Sequence, residues 1–275
     1  MIDRTEQHQH WIMGDAHVHI HPAFDPDNFF HASAENFHRY RQILPPGSQT
    51  CSFLLLTESA GTDMFARFRD NTPVLSCATI MQTKENNVLS IAGHQGDPPL
   101  FVVAGRQIVV KEGLEVLALG WNGAFADGLP LKEVLDLLEE KKIPAVLPWG
   151  AGKWWGRRGK YVKQEIEERT SPLFFLGDNA NRPFFWPRSQ LFSQAGERGI
   201  RNLQGSDPLP FPGQENKMAS FGFYCPGKVD FDRPFQSLVS ILSDRNIEIG
   251  SYGTPERIFP FFYHQISMQL SRKSR

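Results

Sequence analysis

Gly14-Asp15-Ala16-His17-Val18-His19-Ile20-His21 follows an apolar Trp11-Ile12-Met13 near the start of the chain. Alternate residues of a β-strand face opposite sides. The stretch therefore predicts Asp15, His17, His19 and His21 on one face and Ala16, Val18 and Ile20 on the other. Two imidazoles two positions apart at a strand end can share one divalent cation with little rearrangement, and neutral imidazole nitrogen suits zinc, iron or manganese. The competing reading is a polar strand edge on which histidines fall by chance. A carboxylate and a third histidine beside the pair favour the metal.

Composition sets the frame around this strand. The 275 residues fit one large α/β barrel, read here as a single domain over 1–275. A net charge of -1 argues against broad attraction to nucleic acid or an anionic membrane, so neither is an expected partner. No apolar run approaches the ~18 residues that cross a bilayer. The polar start (Asp3, Arg4, Glu6, Gln7) lacks the apolar centre of a signal peptide. Cys51, Cys77 and Cys225 are widely spaced and odd in number, which reads as free thiols in a reducing cytoplasm. Oligomeric state is not legible at this level.

Short apolar runs alternate with amphipathic stretches, as in βα units. Strands are predicted at 12–19, 52–57, 74–80, 101–110, 115–120, 145–148, 173–176, 200–204 and 247–249, and helices at 34–43, 131–142, 161–169, 187–197, 234–242 and 255–270. The clearest helix carries Leu131, Val134, Leu135 and Leu138 as an apolar stripe. Val109 to Val116 reads as a hairpin with Gly113 at its turn. Alternation at this length predicts a parallel barrel with its chemistry where strands end.

Arg106-Gln107-Ile108-Val109-Val110-Lys111-Glu112-Gly113-Leu114-Glu115-Val116-Leu117-Ala118-Leu119-Gly120 is the second anchor. With His17-Val18-His19 it resembles the PHP family, named for polymerase and histidinol phosphatase. Thr57-Glu58-Ser59 and Gly205-Ser206-Asp207 are similar to two further motifs of that family, in the expected order along residues 11–210. The resemblance implies a distorted (β/α)7 TIM-like barrel that carries up to three metal ions and hydrolyses phosphoesters. It also implies metal positions at His17, His19, Asp207 and Gln107, the last a neutral amide where the family has a Glu. Ser59 and Leu209 stand where the family has histidines, Ala145-Val146-Leu147-Pro148-Trp149 has none where the family's strand ends in Ala-His-Pro, and seven of the nine histidines lie at or before His38. The expectation is a reduced site with fewer than three zinc, manganese or iron ions, and His21, His31 and His38 are the histidines left to supply a missing ligand.

Other residues sit at strand ends. Gly177-Asp178-Asn179-Ala180-Asn181-Arg182-Pro183 follows a strand, so Asp178 is a candidate ligand or base and Arg182 a candidate anion clamp. The alternative is an Asn/Asp/Gly turn. Trp149 to Lys160 is rich in Gly, Trp and cations but lacks the spacing of a nucleotide P-loop. There Lys153 offers a point charge to an anion and the tryptophans a pocket wall. Base stacking is the lesser reading, given the net charge. Prolines after Asp207 stiffen its loop.

The sequence thus points to metal-dependent hydrolysis of a small phosphorylated or otherwise anionic substrate. In that reading His17, His19 and Asp207 bind metal, Glu58 or Asp178 manages protons, and Lys153 and Arg182 hold the anion. A barrel that binds without turnover, and an amidohydrolase-type barrel that cleaves a C–N bond, are the alternatives.

Overall fold

The computed structural model describes residues 9–72, 74–93, 98–183 and 187–254. The helix expected at 255–270, with His264, lies outside these residues, as does His94.

Strand β1 (His10–Val18) is buried along nearly its whole length, as is β2 (Gln49–Leu56), its parallel neighbour. The unbroken apolar run of β2 matches a strand covered on both faces. Helix α1 (Pro26–Tyr40) connects them, started by Asp25, whose carboxylate accepts the Asn28 N–H, and by Pro26 at its first position. Helix α2 (Met64–Arg69) follows β2. Next come β3 (Thr79–Gln82), β4 (Val88–Ala92), β5 (Leu100–Val103), β6 (Gly105–Val109) and β7 (Glu115–Leu119). Helix α3 (Leu131–Glu140), β8 (Ala145–Pro148), α4 (Gly156–Glu168), β9 (Phe174–Asn179), α5 (Gln190–Glu197) and β10 (Asn202–Gly205) complete the alternating part. β11 (Phe221–Pro226), α6 (Pro234–Ser243) and β12 (Gly250–Gly253) close the described chain.

These strands form two sheets. One has seven strands in the order β12-β11-β1-β2-β5-β4-β3, and the other five in the order β10-β9-β8-β7-β6. The expected barrel is not formed, because no continuous ladder closes the two sheets on each other. The fold is mixed α/β with two sheets, and antiparallel pairs stand among the parallel ones. An apolar core lies between the sheets, with Ile12, Phe53 and Phe101 from one and Leu117, Val146, Phe175 and Leu203 from the other. Alternate residues of β8 and β9 (Ala145, Leu147, Phe174, Leu176) point outward to a second core under α3, α4 and α5. A third core packs α1 against the outer face of the larger sheet.

Two stitches join the sheets at the strand ends. Glu58, just past β2, makes an isolated parallel bridge with Arg106 of β6. At the other seam the Asp207 N–H, just past β10, donates to the His17 carbonyl at 2.8 Å.

Several expectations shift for local reasons. The single strand expected at 101–110 is two strands in different sheets. The chain steps across at Ala104-Gly105, where a Cβ on Gly105 would meet the Leu56 carbonyl oxygen at 2.1 Å. A continuous apolar run, Phe101 to Gly105, leads into the step, so hydrophobic pattern alone hides it. The strand expected at 74–80 is confined to β3, and 247–249 precedes β12 without joining it. β4 and β11 pair within the larger sheet although neither stood out from the sequence. The hairpin turn at Gly113 is as expected, with φ +72° and the Val110 N–H donating to the Leu114 carbonyl.

Candidate metal centre

The decisive strand departs from simple alternation. Ile12 and Ala16 enter the core between the sheets, whereas Met13 and Val18 enter the outer core. Thirteen and eighteen differ in parity, so the facing flips, and the β1–β2 register shifts between Asp15 and Val18. A bulge of this kind re-aims side chains at a strand end. It separates Asp15 from the histidines.

Asp15 is fully buried behind the centre, where its carboxylate accepts the backbone N–H groups of His17, Ser206 and Ala219 at 3.2, 2.8 and 2.9 Å. Burial pushes its carboxyl up to about 6 despite these bonds. It pins β1 to the loop that carries Asp207.

In front of it three side chains converge. His17 Nε2 lies 3.1 Å from His19 Nε2 and 3.4 Å from Asp207 Oδ1, and His19 Nε2 lies 3.7 Å from the same oxygen. Gln107 Oε1 is 3.2 Å from His17 Nε2. Asp207 adopts φ +46°, a left-handed conformation that aspartate tolerates better than most residues. Gly205 allows this approach, because a Cβ there would stand 2.3 Å from the His17 nitrogen. The Asp207 carboxylate is oriented by Asn179, whose Nδ2 donates to its Oδ2 and to the Trp149 carbonyl, both at 2.9 Å. Asn181 Nδ2 donates to the Asp207 carbonyl at 2.5 Å. Both asparagines lie in the stretch, Gly177 to Pro183, read from sequence for Asp178 and Arg182, with a turn as the alternative. Their place after an apolar strand was the signal, and their partners were not legible.

The electrostatics suit a cation. Burial, reinforced by His17, pushes His19 down to about 3, which keeps its imidazole neutral and its lone pair free to bind. Burial alone would raise Asp207, but His17, His19, Lys153 and Asn181 hold its carboxyl below the usual range. Tetrahedral ligands at about 2.0–2.1 Å from a zinc-like ion stand about 3.3 Å apart. The observed separations of 3.1, 3.4 and 3.7 Å bracket that spacing. His17, His19 and Asp207 therefore form a possible metal site; the donors do not select one ion.

The other candidates are placed elsewhere. Asp178 is clasped by Arg182, with Nε at 2.9 Å from one oxygen and Nη2 at 2.9 Å from the other, and Arg188 Nε is at 3.8 Å. Asp178 also accepts the Asn179 N–H at 3.1 Å, so the pair supports the residue that orients Asp207. Glu58 is buried and accepts the Met64 N–H at the start of α2, with Arg106 at 4.0 Å; burial raises its carboxyl. Lys153 pairs with Glu115 at 2.5 Å. Trp154 is buried and donates to the Pro148 carbonyl, while Trp155 is 59 % exposed. His21 Nε2 donates to the Pro208 carbonyl at 3.0 Å, and His31 faces Glu35 at 3.3 Å. Neither they nor His38 join the cluster among the described residues.

No protein-family model matches the chain, and no curated protein matches its sequence. Solved structures do. PsfC from Pseudomonas syringae PB-5123 is similar over 96 % of this chain and 99 % of its own, at 14 % identity and a TM-score of 0.55. The lesion-specific endonuclease PfuEndoQ from Pyrococcus furiosus is similar over 87 % of this chain, at 12 % identity and a TM-score of 0.51. The chain spans 57 % of that enzyme's length. Endonuclease Q in complex with a 27-mer duplex, with an abasic lesion at the active site, matches at 13 % identity over 84 % of this chain and 56 % of its own, with a TM-score of 0.47. Endonuclease Q is a PHP-fold enzyme, and the fold of this chain is PHP-like. The exclusion of nucleic acid drawn from net charge is therefore corrected. A protein of similar fold, PfuEndoQ, is a lesion-specific endonuclease, and a net charge summed over a whole surface does not report a local basic face. Among the described residues no helix is long and apolar enough to cross a membrane.

Proposed function

We propose that the chain is a metal-dependent hydrolase of phosphoesters, built as a single PHP-like unit around one cation held by His17, His19 and Asp207. The convergence of two imidazole nitrogens and a carboxylate oxygen within 4.8 Å of one another, at the end of a strand seam, carries this reading. A bound first-row cation supplies a Lewis acid for the phosphoryl oxygens and activates water at neutral pH. The remaining work falls to the chain. Asn179 and Asn181 orient Asp207, Gln107 abuts His17 from β6, and Asp178 with Arg182 holds Asn179 in place. Lys153, whose charge reaches Asp207 although it pairs with Glu115, is the cation proposed to meet an anionic substrate. Similarity to a lesion-specific endonuclease puts phosphodiesters of nucleic acid among the substrates to test.

The test pairs metal content by plasma mass spectrometry with hydrolysis of phosphomonoester and phosphodiester substrates. Purified protein should carry about one equivalent of metal, and His17→Ala/His19→Ala should lose both metal and turnover. Absence of metal after reconstitution, or turnover that survives the double variant, overturns the proposal.

A further inference from the structure

The outward face of β2 changes character along its length. Leu54 and Leu56 enter the apolar core beneath α1, but the two earlier positions of that face are Thr50 and Ser52. Their surroundings are apolar: Met13 of β1, Ile91 of β4, Leu100 of β5, and Phe30 and Phe37 of α1. Thr50 Oγ1 is buried there with no hydrogen-bond partner among the described residues. Buried hydroxyls are ordinarily paired, and one left unpaired loses its hydration for nothing in return.

A partly enclosed cavity of roughly 100 Å³ lies between α1 and these strands. It meets an open groove of roughly 540 Å³ that runs from the start of β2 to Gly227, Lys228 and Val229. Arg41, Thr50 and Pro98 border both, so they mark the junction. Arg41 stands just past the end of α1, exposed and without an acidic partner among the described residues. Glu35, the acid on this part of the helix, faces His31 at 3.3 Å instead.

A guanidinium takes a carboxylate through two parallel hydrogen bonds, and a neighbouring hydroxyl can donate a third. The cavity behind the junction has about two thirds of the volume that admits benzene in an apolar interior, which suits a chain of about four carbons. We propose that this junction binds a short-chain carboxylate, with its head on Arg41 and Thr50 Oγ1 and its aliphatic tail between Met13, Phe37, Ile91 and Leu100. None of the lining residues belongs to the metal centre, so the proposal stands apart from the hydrolase reading.

The test is a hexanoate titration of the full chain in EDTA, read by methyl NMR at Met13 and Ile91. Chelation removes any cation that a carboxylate could meet at His17, His19 and Asp207. Saturable shifts are expected at both methyls and not at Ile12, which enters the core between the sheets. Across acetate, butyrate and hexanoate, each added methylene should tighten binding about four-fold. Arg41→Gln should weaken hexanoate about ten-fold and Thr50→Val about three-fold. Arg39, which turns to Asn36 and does not border the cavity, is the control, and Arg39→Gln should change binding less than about two-fold. Hexan-1-ol, with the same chain and no charge, should bind about ten-fold more weakly. Unchanged thermal melts keep misfolding out of the comparison. Absence of a saturable shift, equal loss from Arg39→Gln and Arg41→Gln, or hexan-1-ol bound as tightly as hexanoate would overturn the proposal.

Discussion

Asp178 and Asp207 stand at the ends of neighbouring strands, and their fates differ. Asp178 meets a guanidinium fork and is neutralised inside the protein. Asp207 meets two imidazoles and two asparagine amides, partners that hold it in place without cancelling its charge. The first carboxylate is taken up by an ion pair, and the second lies in a possible metal site. Position at a strand end does not decide a carboxylate's role; the charge of its partner does.

Removing each carboxylate should separate the two roles. Asp178→Ala leaves the largely buried Arg182 without its carboxylate partner and beside Arg188, and should cost about 3–5 kcal/mol by urea denaturation. Asp207→Ala in the chelated protein removes only hydrogen bonds and should cost about 1–2 kcal/mol. Equal costs would erase the distinction.

Asp15 sharpens it from a third side. Its folded carboxyl titrates at about 6 against an ordinary 3.8, so the folded state takes up a proton that the unfolded chain does not. Stability from this group is greatest below 3.8 and falls as pH rises to about 6, by about 3 kcal/mol. Asp207 has the opposite sign: its stability is present above the ordinary value and is lost as pH falls through its lowered one. Carboxyl carbon NMR of chelated protein should resolve one midpoint near 6 and one below 3.8. A single shared midpoint would contradict the contrast.

Gly205→Ala should cost about 1–3 kcal/mol by crowding the His17 backbone, and should lower metal occupancy with it. If occupancy holds while stability falls, the seam and the centre are uncoupled. Lys153→Met has the smallest expected effect. Its pair with Glu115 is partly solvated and worth less than about 1 kcal/mol, yet its loss should raise the Asp207 midpoint.

Much of the centre was readable from residue types. His17-Val18-His19 declared itself by spacing, and Gly205-Ser206-Asp207 by order. What escaped the sequence was set by distant partners. The bulge that parts Asp15 from His17 depends on Ser206 and Ala219, both late in the chain. The role of Asp178 depends on Arg182, which read as a separate anion clamp although it lies one helical turn's spacing away. The strand change at Gly105 depends on the Leu56 carbonyl, and a local pattern of apolar residues carries no record of such a neighbour.

The seam between β1 and β10 also has a temporal meaning. Asp15 and Ser206 are 191 positions apart, and the two histidines and Asp207 are separated almost as widely. Joining ends so distant is entropically slow and comes after local hairpins and helices form. During synthesis the imidazoles of β1 are made well before the carboxylate that faces them. Under the proposed metal reading, an ion held by His17, His19 and Asp207 would clasp the two ends of this seam together.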